Sequence, residues 1–324
     1  MENGRSVRLK CSRYIACQCA ACADCLPDTR GNRPPCILFT HARNREHANS
    51  HTIPVKPNNI LSLLPVATGI LIISTALLTA TTSRASDLQR EQRLADEIVE
   101  AILDGEPVTL TANHHDFLGI YTESVTEPAP GAAIILHGRG MHPDWSQVAG
   151  PLRIALPEQG WSTLSLQMPV LGKDASFYDY EAVFPEAGPR IDAGIEFLRA
   201  QGIQRIILTA HSCGVHMSMT WLEQQGSGDI DAYVGIGMGA TDYQQPMRKP
   251  FPFNRIEVPL LNVYGSEDYP AVQRQTETLA PLLAGIHPDS RQIRISGADH
   301  YFDDYNEELA ATISAWLVTL VTGE

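Results

Sequence analysis

Arg205-Ile206-Ile207-Leu208-Thr209-Ala210-His211-Ser212-Cys213-Gly214 is an apolar run that ends in a short serine motif and opens onto an amphipathic stretch over 214–225. That order predicts a strand, a sharp turn and a helix, the setting in which a central serine sits on a nucleophile elbow. Small residues two before and two after Ser212 allow strand and helix to approach closely. Gly214 fits that need, and Ala210 departs from the usual glycine by one methyl. A serine motif of this length also occurs in ordinary loops, so its weight depends on two segments further along the chain. Val258-Pro259-Leu260-Leu261-Asn262-Val263-Tyr264 leads into Gly265-Ser266-Glu267-Asp268, and Arg291-Gln292-Ile293-Arg294-Ile295 leads into Ser296-Gly297-Ala298-Asp299-His300. A serine, a carboxylate and a histidine thus occur in that order, each at the end of a strand-like run.

Outward from these segments, strand-like and helix-like runs alternate. Residues 108–111 and 117–122 read as an opening antiparallel pair, followed by a parallel series at 132–136, 162–167, 205–208, 232–236, 260–264 and 292–295. Helical stretches are predicted at 88–103, 146–156, 191–201, 214–225, 271–284 and 305–321. This alternation predicts an α/β domain with a mostly parallel central sheet and helices on both faces.

The three chain-ordered residues, together with Leu136-His137-Gly138-Arg139-Gly140-Met141-His142-Pro143-Asp144-Trp145 and Gly160-Trp161-Ser162-Thr163-Leu164-Ser165, resemble the alpha/beta-hydrolase superfamily over residues 105–324. Those two runs look like an uncharacterised subgroup known as a domain of unknown function in Gram-negative bacteria. The resemblance implies an alpha/beta-hydrolase fold with Ser212 as nucleophile, His300 as base and Asp268 as the acid that orients it. It also implies an oxyanion hole from the backbone N–H of Cys213 and a second N–H in the loop His137-Gly138-Arg139-Gly140, assigned to Arg139 beside Gly138.

A serine hydroxyl is inert at neutral pH unless a base removes its proton, so the choice of histidine matters. His300 follows the last strand and precedes the last helix. Of the others after residue 85, His211 reads as a packing or hydrogen-bonding residue, His137 as part of the oxyanion loop and His216 as helical, with His114, His115 and His287 in surface turns. His142 is the competitor for a place in the cleft, as a substrate-contacting group. Glu267 and Asp242 are rivals to Asp268, Asp299 reads as a solvated turn carboxylate, and Cys213 is an alternative nucleophile displaced by the centrality of Ser212.

Charge and cysteine divide the 324 residues at the same place. Residues 1–85 hold ten Lys/Arg against four Asp/Glu, whereas 86–324 hold fourteen against thirty-three. The second part is too acidic for a nucleic-acid partner and long enough for one large α/β core. Six of the seven cysteines precede residue 37 and only Cys213 comes after it, so no disulfide is expected within the domain. Cys19, Cys22 and Cys25 have zinc-like spacing, but no partner histidines or foldable apolar pattern accompany them.

Residues 60–80 are apolar, follow Lys56 and precede Ser83-Arg84-Ala85. Basic start, apolar centre and small residues before a cut make 55–85 a signal peptide, with Ser86 as the mature N-terminus. On this reading Val55 is the initiator and 1–54 a doubtful extension. An uncleaved membrane anchor through 60–80 is the rival, since twenty-one residues suffice to span a bilayer. Both place the domain outside the cytoplasm, periplasmic or secreted.

The segment 239–257 is too short for a large lid domain, which predicts an open cleft. The loop 169–189 carries Phe177, Tyr178, Tyr180 and Phe184 for an apolar wall, with Tyr178 and His142 expected to contact substrate. No metal-ligand spacing or nucleotide motif accompanies the site, so no metal or cofactor is expected. The expected activity is hydrolysis of a small carboxylic ester through an acyl-enzyme. A peptidase or thioesterase using the same three residues, or a scaffold with little turnover, is the alternative.

Overall fold

Five strands of the sheet are short runs buried almost wholly on both faces, the pattern of strands covered on two sides. The computed structural model describes residues 85–242 and 245–322, all of them within the second of two units divided at Ile72 and Ile73. The expected extension 1–54 and the expected signal peptide 55–85, save its last residue, lie outside the described residues. The strands are β1 Glu106–Ala112, β2 His115–Thr122, β3 Ala132–Leu136, β4 Ser162–Leu166, β5 Ile206–His211, β6 Ala232–Ile236, β7 Leu260–Gly265 and β8 Arg291–Ile295. They form one eight-stranded sheet in the order β1-β2-β4-β3-β5-β6-β7-β8. All neighbours from β4 to β8 pair in parallel, while β2 runs antiparallel to both β1 and β4.

The helices are α1 Leu88–Ala101, α2 Ala149–Glu158, α3 Phe177–Tyr180, α4 Ala187–Ala200, α5 Cys213–Gln225, α6 Pro270–Leu279, α7 Leu283–Ile286 and α8 Asn306–Thr322. Alternation along β3 sorts the core into two layers. Ile134 and Leu136 face one core with Leu208 of β5, Ile191 of α4 and Val215 of α5. Ala133 and Ile135 face the other with Leu152 of α2 and Ile313 and Leu317 of α8. Ile98 of α1 packs on Leu118 and Ile120 of β2.

Two segments differ from the sequence reading. The helix expected over 271–284 stops at Leu279 and resumes as the single turn α7, because Pro281 has no N–H to continue the ladder. The loop 169–189 holds α3, closed by a capping box between Ser176 and Asp179, and a 3-10 turn at Phe184–Glu186. Between β6 and β7 a 3-10 turn at Phe253–Arg255 is the only helical element among the described residues, and they hold no lid domain over the sheet. Among the described residues no helix is long and apolar enough to cross a membrane.

The strand order reverses at β3, which has β4 on one side and β5 on the other. Loops leaving the carboxyl ends at such a point flank a crevice. The turn after β5 carries Ser212 and the loop after β3 is 137–140.

Candidate active site

Ser212 has φ 55° and ψ −117°, a conformation in which a non-glycine residue is strained. Strand β5 imposes it on one side and α5 on the other, while the Ser212 N–H donates to the Ile236 carbonyl at 2.9 Å. The turn needs a glycine two residues on. A Cβ at Gly214 would lie 2.7 Å from the carbonyl oxygens of Leu136 and His137, so any side chain there would part α5 from β3.

Around this turn the structure brings the three strand-end residues together. His300 Nδ1–H donates to Asp268 Oδ1 at 2.7 Å, and its Nε2 lies 2.8 Å from Ser212 Oγ. Since the carboxylate holds the proton on Nδ1, Nε2 presents a lone pair to the hydroxyl. Asp268 and His300 are buried, and Ser212 is half-buried and reachable. The Tyr269 N–H also donates to Asp268 Oδ1, and the Tyr269 ring stacks on His300 with centroids 4.3 Å apart. Tyr301 meets the same imidazole edge-on, and its hydroxyl accepts from that of Tyr269. From beneath, His211 Nε2–H donates to the His300 carbonyl at 3.0 Å.

The rivals are disposed of by position. Glu267 is exposed, and Asp299 caps its own turn by accepting the Tyr301 N–H. Asp242 pairs with Arg139 and accepts the Phe177 N–H. Burial pushes the Cys213 thiol up to about 12, so it stays protonated and is no rival to the hydroxyl.

A cavity of about 70 Å³ above Ser212 is lined by Arg139, Met141, Phe177, Cys213, Thr241, Asp242, Tyr269, His300 and Tyr301 among others. No acceptor among the described residues takes the N–H of Cys213 or of Arg139. Gly138 faces the serine, its Cβ position lying 3.3 Å from Ser212 Cβ. The loop is braced from below by His137, whose Nδ1–H donates to the Gly138 carbonyl while Nε2 accepts the Met168 N–H at 2.9 Å. Burial holds this imidazole down at about 3, so it works as a neutral strut. Helix α1 adds a second brace: the Arg90 guanidinium donates to the Gly140 carbonyl at 3.0 Å and to that of Leu171. The next residue, Glu91, accepts the Val170 N–H and pairs with Arg190 at 2.9 Å, both side chains being buried.

Two expected substrate contacts lie elsewhere. The His142 ring packs edge-on against Trp145 and does not line the cavity, because the turn at Gly140 and Met141 presents Met141 instead. The Tyr178 hydroxyl donates to the Pro246 carbonyl and Arg248 covers its ring, so its neighbour Phe177 forms the wall. Tyr180 is buried, accepting the Leu171 N–H. Phe177 and Phe184 line a separate hollow of about 300 Å³ with His216, Met219, Met247 and Phe251. Tyr269 and Thr241 are lining residues that the sequence reading passed over, although Tyr269 adjoins the acid. Among the described residues no group of three or more His, Cys, Asp or Glu side chains is placed to hold a metal ion.

A family model described as "Protein of unknown function (DUF3530)" matches residues 74–189, ending before Ser212. Among solved structures, a dienelactone hydrolase from Anabaena variabilis is 16% identical, with 66% of this chain and 97% of that chain covered and a TM-score of 0.53. The chain has the alpha/beta-hydrolase fold. An esterase from Pyrococcus furiosus (15% identity, 66% and 90% covered, TM-score 0.52) and an alpha-beta serine hydrolase homologue from Coxiella burnetii (18%, 66% and 98%, 0.51) share that fold. No curated protein sequence matches the chain.

Proposed function

We propose that this chain is a serine hydrolase acting on small carboxylic esters, exported from the cytoplasm and starting at Ser86 once the signal segment 55–85 is removed. The observation that carries the activity is the unbroken hydrogen-bonded line Asp268–His300–Ser212 opening into a cavity. In the reaction Ser212 Oγ attacks the ester carbonyl carbon as its proton passes to His300 Nε2. The negative charge that forms on the carbonyl oxygen is received by the N–H groups of Cys213 and Arg139. Collapse breaks the bond to the alcohol, which leaves with the proton from His300. A water molecule then repeats the two steps in reverse and frees the acid. Asp268 stays ionised and stabilises the imidazolium throughout.

The test is labelling of the folded protein with a fluorophosphonate, beside hydrolysis of p-nitrophenyl acetate. Ser212→Ala is expected to abolish the adduct and to lower turnover by roughly 10⁴-fold or more, with thermal stability little changed. The mass of the labelled native protein also reads its first residue. An adduct that persists in Ser212→Ala would overturn the assignment, and no adduct on the wild type would favour a scaffold. A thioester and a peptide amide in the same panel separate the esterase reading from its neighbours.

A further inference from the structure

Beyond Tyr269 the cavity over Ser212 widens. A cleft of about 490 Å³ is lined by Arg139, Thr241, Asp242, Tyr269, Pro270, Ala271 and Arg274. Four of these, Arg139, Thr241, Asp242 and Tyr269, also line the cavity over the serine, so the two form one continuous groove.

The charges in that groove do not cancel. Asp242 is fully engaged, its Oδ1 by the Arg139 guanidinium and its Oδ2 by Arg139 at 3.3 Å and the Phe177 N–H at 2.6 Å. Arg139 spends a further donor on the Ala175 carbonyl at 2.9 Å. Arg274, on the first half of α6, is exposed, and no acceptor or carboxylate among the described residues meets its guanidinium. Arg274 thus brings to the groove a positive charge that no carboxylate among the described residues offsets, whereas the Arg139 charge is met by Asp242. Tyr269, which lines both hollows, and Pro270 and Ala271, which line the cleft with Arg274, offer apolar wall that suits a short hydrocarbon or aromatic spacer.

We propose that the groove selects esters bearing an anionic group, a carboxylate above all, and that the Arg274 guanidinium receives that group. This rests on Ser212 being the acyl acceptor. A guanidinium offers two parallel N–H donors that match a carboxylate. The substrate is thereby held at two points, the carbonyl at the oxyanion donors and the anion at α6.

The experiment compares matched pairs of esters on the whole protein. One pair places the charge on the acyl side, mono-4-nitrophenyl glutarate against 4-nitrophenyl valerate, and the other on the leaving group, 4-acetoxybenzoate against 4-acetoxybenzamide. For at least one pair the charged member is expected to have the higher kcat/KM. Arg274→Gln should lower the charged-to-neutral ratio by roughly two- to fivefold, the range for an ion pair made by an exposed side chain, and Arg274→Lys should restore part of it. Equal ratios in both variants and wild type, or a preference for the neutral members of both pairs, overturn the proposal. Turnover of the neutral esters with a fluorophosphonate adduct, but no charge preference, defeats this inference alone; absence of both defeats the hydrolase reading and this one with it.

Discussion

Gly237 holds open the space behind His300. Its φ is +61°, and a Cβ built there would lie 2.8 Å from His300 Cε1, 3.0 Å from Nδ1 and 3.3 Å from Asp268 Oδ2. Gly237→Ala is therefore expected to push the imidazole off the serine and lower kcat by roughly 10- to 100-fold, the cost of displacing a catalytic group by about an ångström, with KM for a short ester little altered. Steady-state kinetics beside a thermal melt check it, and an unchanged kcat would show that the ring is not held from this side. The residue teaches where sequence reasoning stops. Ser212, Asp268 and His300 were legible because each comes after an apolar run at a strand end, a signal local to the chain. Gly237 also ends such a run, but its purpose depends on side chains from two other loops. His142 and Tyr178 were misplaced for the related reason that a side chain's direction in a turn is set by contacts beyond the turn's own motif, here Trp145 and the carbonyl of Pro246.

At the scale of elements, α1 belongs to the site as much as to the fold. Its sequence is polar and acid-rich, yet Arg90 reaches the loop carrying the Arg139 N–H and Glu91 is buried against Arg190. Removing one oxyanion donor outright costs an enzyme about 10²- to 10³-fold in kcat, so loosening the loop that carries one should cost less. Arg90→Ala is expected to reduce kcat by roughly tenfold while leaving KM for p-nitrophenyl acetate close to its original value, and Arg90→Lys should recover part. A rise in KM with kcat intact would mean the brace serves binding rather than turnover. The strands were the most readable elements, since runs such as Ala132–Leu136 and Ala232–Ile236 are apolar on both faces and bounded by turn residues. Helix ends were less so. Pro281 cut one helix in two, and α3 is a single turn whose formation depends on the Ser176 and Asp179 cap rather than on periodicity.

For the whole molecule, three buried imidazoles tie stability to pH. Burial holds His137 and His211 down at about 3 and His216 at about 4, against 6.5 for an ordinary imidazole. Between those values the unfolded chain binds protons that the folded chain does not, so stability is full above pH 6.5 and is lost as the pH falls toward 4. Each group contributes about 1.4 kcal/mol per pH unit within its window, about 4 kcal/mol per unit for the three together. Urea denaturation from pH 7 to pH 5 should show this steep loss. His216→Phe, placed among Phe177, Phe184 and Phe251, should make the slope shallower by about 1.4 kcal/mol per unit; an unaltered slope would mean that His216 is not the neutral group its burial implies.

Helix α1 also sets a schedule for biogenesis. Its anchors, the carbonyls of Gly140 and Leu171 and the guanidinium of Arg190, are 50, 81 and 99 residues further along the polypeptide. The ribosome therefore releases the brace long before anything exists for it to grip, and Glu91 must remain in water until Arg190 has emerged. The earliest-made helix of the domain cannot dock before α4 has begun, and a nascent chain stalled short of α4 would carry the loop 137–140 unsupported.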